Sequence, residues 1–311
     1  MPSTQEFRRR IKSVSSTKQI TKAMEMIASI KMQKSIRTIE AARSYIQNAW
    51  NILTMMAKQV LAEDHPLIKP HEDINKTAVI LVTSDRGLCG AYNSEVIKKY
   101  LEFAKDTRYK VQDTNKTQNS IIDNQYSNLD IIAVGKFGAS FVNRHKAGNL
   151  VAEFKGLDNE VHVENIIPIS KLSNGEYLNG KYDKVVIIYS HFESSLKQTP
   201  VVKQILPIID EHIDQTRLWA EPENDSSEYK FEPDAQTVFD GILKQIIRTQ
   251  IYGAVLEANA SEHSARMVAM KNATDNAKNL IDELTLEYNS IRQNNITREI
   301  AEISGAAEAM K

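Results

Sequence analysis

The chain has 311 residues, 39 Lys/Arg against 40 Asp/Glu, a net charge of −1 and 41% apolar residues. It reads as an ordinary soluble protein long enough for two domains. A single cysteine, Cys89, excludes an intramolecular disulfide and a cysteine-based metal cluster, and no apolar run approaches the roughly 20 residues of a membrane span.

The start, MPSTQEFRRRIKSV, lacks the apolar core of a signal peptide. It enters a helical period almost at once, which leaves little room for a cleaved transit segment. From Ser3 to His65 there is neither Pro nor Gly, so one helix of about 90 Å is expected. Phe7, Ile11 and Val14, then Ile20, Met24 and Ile27, then Ile39, Ala42, Ile46, Ala49, Leu53, Met56 and Val60 step by threes and fours. That rhythm averages 3.5 residues, the period of a coiled-coil seam, with a phase slip between Val14 and Ile20. The stretch to Arg43 carries ten Lys/Arg against three Glu, a local charge of +7.

A different texture follows. Thr77–Thr83 reads as a strand, and Asn93–Thr107 as a helix capped by Asn93 or Ser94. Residues 109–128 form a polar insertion loop. Asp130–Val134 is a second strand, GKFGASFVNRHK a short helix, Asp183–Ser190 a third strand and Val201–Ile209 a returning fourth. Strands alternating with helices predict a mainly parallel, Rossmann-like α/β sheet. Residues 153–234 carry a net charge of −8, including an acidic linker at Pro222–Tyr229, and Pro233 suits a helix entry.

From Asp234 to Lys311 there is no Pro and Gly only at 241, 253 and 305, so a second very long helix is expected. Its 3/4 seam runs through Ala277, Ile281, Leu284, Tyr288 and Ile291, slips, and resumes at Ile296, Ile300, Ile303, Ala307 and Met310. Helices this long must leave a globular body. Two in one chain can pair antiparallel, the alternative being a homodimeric coiled coil. The fold class is therefore an α/β sheet domain at 76–220 inserted between long terminal helices at 1–65 and 233–311 that form an antiparallel coiled coil.

The turn SDRGLCG looks catalytic. Asp85 and Arg86 stand where a parallel strand ends, the usual ligand position in α/β folds, and Gly87 and Gly90 permit a tight turn. Yet neither GxGxxG nor GxxxxGK[ST] is present, and Cys89 has no histidine near it in sequence. A similar strand–glycine–helix turn recurs at AVGKFG, so the expectation is a structural turn, with an enzyme site at Asp85, Arg86 and Cys89 as the competing reading. The seven histidines show no metal-ligand spacing. Glu262 and Arg266 stand at i, i+4 and read as an ion pair on a solvated helix face. Phe7 is the only aromatic before Tyr45, so the basic helix lacks a base-stacking ladder. An acidic protein surface suits it better than nucleic acid, although a nucleic-acid-binding arm or coiled-coil tether stays open on composition alone.

Three long motifs carry a resemblance. They are RRRIKSVSSTKQITKAMEMIASIKMQKS, SDRGLCG, and ASEHSARMVAMKNATDNAKNLIDELTLEYNSIRQNNITREIAEISGAAEAM. With AVGKFG, YDKVVIIYSHF, QILPI and YKFEP between them, the chain resembles the gamma subunit of bacterial F-type ATP synthase over nearly its whole length. Ala91 stands where that family often has a further glycine, and 109–128 looks like an insertion without the cysteine pair of chloroplast relatives.

The resemblance implies a non-catalytic, cofactor-free rotor shaft, one copy per complex, inside a ring of three alpha and three beta subunits. It implies contacts to an epsilon subunit and the membrane c-ring, no nucleic acid, and a peripheral place on the cytoplasmic face of the bacterial membrane. The shaft would couple proton or sodium flow to ATP synthesis and regulate ATPase activity. Lys18, Lys22, Met24 and Lys31 would meet an acidic lever of the beta subunits, and Arg292, Gln293, Thr297 and Glu299 would contact beta higher up. Ile303, Gly305, Ala307 and Met310 would form a slim tip in an apolar sleeve, and Asp85, Arg86, Gly87 and Gly90 would only shape a turn in the foot domain.

Overall fold

The computed structural model describes residues 4–57, 65–71, 74–111, 126, 128–158, 161–208 and 231–310. Val60, most of the 109–128 insertion and the acidic linker at 222–229 lie outside them. The elements in chain order are α1 (Thr4–Ala57), β1 (Thr77–Val82), α2 (Tyr92–Val111), β2 (Leu129–Val134), α3 (Lys136–His145), β3 (Asn149–Phe154), α4 (Val163–Leu178), β4 (Lys184–Phe192), β5 (Gln198–Leu206) and α5 (Ala235–Ala309). The chain divides into two compact units, residues 30–265 and residues 1–29 with 266–311.

The larger unit holds a five-stranded sheet in the order β3-β2-β1-β4-β5. β1 runs parallel to β2 and β4, β2 parallel to β3, and β5 returns antiparallel along β4. The central strands are buried on both faces, which is why they read as continuous apolar runs. Their period of two divides them between two cores. Ala78, Ile80, Val82, Val185 and Ile187 pack with Trp50, Leu53, Phe239, Leu243, Ile247 and Val255. Val79, Leu81, Val186 and Ile188 face Val96, Tyr100 and Val142. Each fully buried aliphatic side chain contributes about 1.5–3 kcal/mol, so these two layers dominate the unit's stability.

Two elements escape the sequence reading. β3 is an edge strand that is only partly buried, so it lacks a strong apolar alternation. α4 contains Pro168 and Gly175, residues that normally punctuate helices. Three expected boundaries also move. β5 begins before Pro200, which an edge strand accommodates. α5 begins at Ala235, leaving Pro233 outside it. Asp234 caps this helix, its carboxylate accepting the Thr237 N–H at 2.8 Å and the Thr237 hydroxyl at 2.8 Å. Those bonds hold its pKa below the usual carboxylate range. α2 begins at Tyr92, and Asn93 turns its side chain away from the helix end.

The smaller unit is a pair of antiparallel helical stretches. Arg8 donates to the Tyr288 hydroxyl at 3.0 Å, and the Thr21 and Thr274 hydroxyls lie 2.8 Å apart, so partner numbers fall as α1 numbers rise. On α5, from Met270 on, a 4-3 seam runs through the covered or half-covered Met270, Thr274, Ala277, Ile281, Leu284, Tyr288 and Ile291, with Ala273 and Thr285 half-covered beside it. On α1 the matching 4-3 seam runs through Phe7, Ile11, Val14, Lys18, Thr21, Glu25 and Ala28, with Thr4, Ser15, Met24 and Ser29 also half-covered. The expected phase slip after Val14 is therefore absent. The seam passes through polar Lys18 and Thr21, and Ile20 and Ile27 stay 61% and 54% exposed. Reading apolar residues as the seam created the slip.

Among the described residues no helix is long and apolar enough to cross a membrane, and none of their His, Cys, Asp and Glu groups could hold a metal ion.

The turn after β2 supplies a stability prediction. A Cβ on Gly135 (φ +96°) would lie 2.1 Å from the Thr83 carbonyl oxygen, whereas Gly180 (φ +73°) faces open space. Gly135→Ala lowers the thermal unfolding midpoint steeply, by several kcal/mol in stability, because backbone must move; Gly180→Ala costs only the left-handed strain of about 1–2 kcal/mol. Equal midpoints for the two variants would contradict this packing.

Candidate functional site

In an open sheet of this order, ligands bind beyond the carboxyl ends of the strands, at the crevice where the strand order reverses beside β1. Helix N-termini there offer unpaired amides to phosphates. In this chain every amide of that kind on α3 is already taken. Gly135 N–H donates to Phe154 O at 2.8 Å, Lys136 N–H to Asp85 Oδ1 at 2.9 Å, Phe137 N–H to Ser84 O at 3.2 Å and Gly138 N–H to Thr83 Oγ1 at 2.9 Å. The second Asp85 oxygen accepts the Gly156 N–H at 2.7 Å. An internal carboxylate thus fills the anion cradle.

The rest of SDRGLCG is tied to itself. Ser84 N–H donates to Asn93 Oδ1 at 3.0 Å, Asn93 Nδ2 donates to Ser84 Oγ at 2.7 Å, and Ser84 Oγ donates to Arg86 O at 2.8 Å. Asn93 therefore clamps the turn, where capping α2 was expected. Cys89 is buried, its sulfur accepting from Asn93 Nδ2 at 3.3 Å. The left-handed positions are Leu88 (φ 63°) and Gly90 (φ 58°), and Gly87 is not among them. Arg86 is largely solvent-exposed, with Nε 3.5 Å from the buried Asp158 carboxylate, a long pair that water screens.

The crevice itself is covered by the chain's own helix. Ser261, Glu262, His263 and Ser264 of α5 are all buried there, and Arg266, in the other unit, is buried as well, so the expected solvated face is overturned. Polarity misled the reading because Ser261, His263 and Ser264 hydrogen-bond inside the protein. Asn259 Nδ2 donates to Leu157 O at 2.5 Å and His263 Nε2 to Asp158 O at 3.0 Å. Ser261 Oγ donates to Ser190 O at 2.9 Å and Ser264 Oγ to Ser195 O at 2.6 Å. His191 Nδ1 lies 2.6 Å from Glu257 Oε2, and that hydrogen bond raises the His191 pKa. Beside this pair, burial lowers the pKa of Lys203. Nothing in the sequence marked Asn259, Asp158 or His191 as part of this site. The cue, legible only in hindsight, is a run of short polar residues in a helix whose preceding turns are apolar.

The other expected site residues lie on exposed or half-buried helix surface. In the smaller unit, Lys18, Lys22, Glu25, Met26, Lys271 and Asp275 line a groove of about 620 Å³, and Lys22 also pairs with Glu25 at 2.9 Å. Met24 is half-buried. Lys31, in the larger unit, is also half-buried. Arg292, Gln293, Thr297, Glu299, Ile303, Gly305 and Ala307 are exposed, and Met310 is 86% exposed. The 3/4 pattern beyond Ile291 is therefore exposed, past the stretch seen to pair with α1.

Comparison with known proteins places this arrangement. The ATP synthase family model matches residues 3–310. The ATP synthase gamma chain of Nitrosomonas eutropha is 36% identical over 310 residues, covering all of both chains. That of Leptothrix cholodnii is 39% identical over 308 residues, covering 99% of each. In fold, the chain is similar to one from the Euglena gracilis mitochondrial ATP synthase OSCP/F1/c-ring structure (TM-score 0.61, 19% identity, 99% of this chain and 94% of that one). It is also similar to one from the Tetrahymena thermophila mitochondrial ATP synthase central stalk/c-ring structure (TM-score 0.56, 21% identity, 82% and 99%).

The His191–Glu257 contact gives a pH prediction. A histidine whose pKa is raised on folding adds stability that is fully present below its unfolded pKa of about 6.5 and disappears as pH rises through the raised value. The loss in unfolding midpoint caused by His191→Gln is therefore larger near pH 6 than well above the raised pKa, at about pH 9. A pH-independent difference between the two proteins would contradict the assignment.

Proposed function

The chain belongs to the family of ATP synthase gamma chains, whose members are non-catalytic subunits, and from that premise we propose that it is the turning shaft of the complex. It rotates within three alpha and three beta subunits, one copy per complex. It couples ion flow through the c-ring to ATP synthesis on beta, and it regulates the reverse hydrolysis. Its station is the cytoplasmic face of the bacterial membrane, held there by the c-ring and epsilon subunit.

The observation that carries this reading is the end-to-end agreement with bacterial gamma chains. The surface of the helices supports it. A shaft works by making different contacts with three otherwise equivalent subunits, so that each has a different affinity for nucleotide. The polar seam leaves Ile20 and Ile27 outward, an apolar row that a surrounding subunit would cover. Lys18, Lys22, Met24 and Lys31 are the groups offered to an acidic beta lever, Lys18 and Lys22 from the rim of the groove. Past Ile291 the single helix presents Arg292, Gln293, Thr297 and Glu299 for polar contacts with beta. Beyond them Ile303, Gly305, Ala307 and Met310 give a slim tip for an apolar collar.

Tagged chain drawn from native membranes in mild detergent co-purifies with two nucleotide-binding subunits, each in threefold excess, and with ATPase activity; recovery alone or with nucleic acid would refute the reading. Met24→Lys adds a charge beside the lever contact. It leaves assembly intact and weakens ATP-driven ion pumping relative to hydrolysis in membrane vesicles, whereas an unchanged ratio would remove Met24 from that contact. A bulky apolar residue at Gln293 or Thr297 slows turnover of the assembled complex, and wild-type rates would exclude those two from the interface.

A further inference from the structure

α5 is gripped from two sides just before residue 266, where it passes into the second unit. One row of grips is Asn259 and His263, bonded to the main-chain carbonyls of Leu157 and Asp158. The other is Glu257, Ser261 and Ser264, bonded to His191, to Ser190 O and to Ser195 O on β4 and the turn that follows it, with Gln198 Nε2 reaching Ser264 Oγ at 3.3 Å. At 3.6 residues per turn the two rows lie about 150° apart around the helix. The strap that receives the first row, Gly156–Asp158, is itself held by the turn after β1, through Gly156 N–H on Asp85 and Arg86 beside Asp158. Gly156 has φ +80°, a conformation suited to glycine.

Apolar packing holds a helix against a sheet but is non-directional, so it resists separation better than it resists rotation of the helix about its own axis. Hydrogen bonds weaken steeply when bent, and two rows on nearly opposite sides are both distorted by such a rotation. We propose that this double grip is a spline, which stops α5 from turning inside the α/β body. Asn259 and His263 on one side, and Ser261 and Ser264 on the other, are positioning residues that transmit torque between body and shaft. The spline rests on the rotor reading. His263 must donate to a carbonyl, so its Nε2 carries the proton, and a glutamine amide can replace that donor.

The test uses the chain assembled with its alpha and beta partners, a gold rod attached to the α/β body through Lys98→Cys on the exposed face of α2, and the hexamer stalled by a non-hydrolysable nucleotide. The angular variance of the rod reports torsional compliance. Asn259→Ala/His263→Ala is expected to widen that variance at least twofold while unloaded ATP hydrolysis stays at the wild-type rate, and His263→Gln keeps the wild-type width. If the double variant does not assemble, His263→Ala and Ser264→Ala are read singly, each giving a smaller widening. Unchanged variance in assembled variants overturns the spline. A wild-type rod that never rotates with ATP overturns the rotor reading, and the spline with it.

Discussion

The Asp85 carboxylate is the constraint that organises the strand-end side of the α/β body. Its two oxygens accept the Lys136 and Gly156 amides, joining the turn after β1 to the start of α3 and to the strap after β3. Hydrogen bonds to a charged group contribute about 1.5–3 kcal/mol each, toward the lower figure where solvent reaches the carboxylate. An incoming phosphate would have to displace both bonds and repel the carboxylate it displaced. A crevice that an α/β enzyme keeps open for an anion is closed here by the chain's own side chain.

Once the strap is fixed, it becomes a bearing surface for α5. The turns of α5 up to Ala258 bury apolar residues against one face of the sheet. The next turns, Asn259 to Ser264, exchange apolar packing for hydrogen bonds to main-chain carbonyls. Burying those polar groups without partners would cost several kcal/mol, so the partners set both where the helix sits along the crevice and how it is rotated. The ligand-binding end of the fold thus serves as a mount for a helix.

Much of the architecture was legible because it rests on strong local signals. Continuous apolar runs mark β1, β2 and β4, and the absence of helix breakers marks α1 and α5. β3 and α4 were hidden for opposite reasons, a half-exposed edge without alternation in one and Pro168 with Gly175 inside a helix in the other. The seam of α1 was misplaced because hydrophobicity was taken as the sign of burial, whereas Thr21 meets Thr274 across the seam and Ile20 faces out. The same error in reverse put Ser261–Arg266 in solvent. The site's key partners, Gly156–Asp158 and Ser190, contribute backbone atoms, and side-chain identity says little about which carbonyls a fold will bring together. The family resemblance supplied what local physics could not, namely a set of partner subunits to propose for the helices.

The most direct measurement is hydrogen exchange on the full-length chain, with and without millimolar Mg-ATP, read for the amides of residues 135–138 and 156. If Phe154, Asp85, Ser84 and Thr83 occupy these amides, exchange is slow and nucleotide leaves it unchanged. Fast exchange there, or protection that appears only with nucleotide, would show an open anion site and contradict the account.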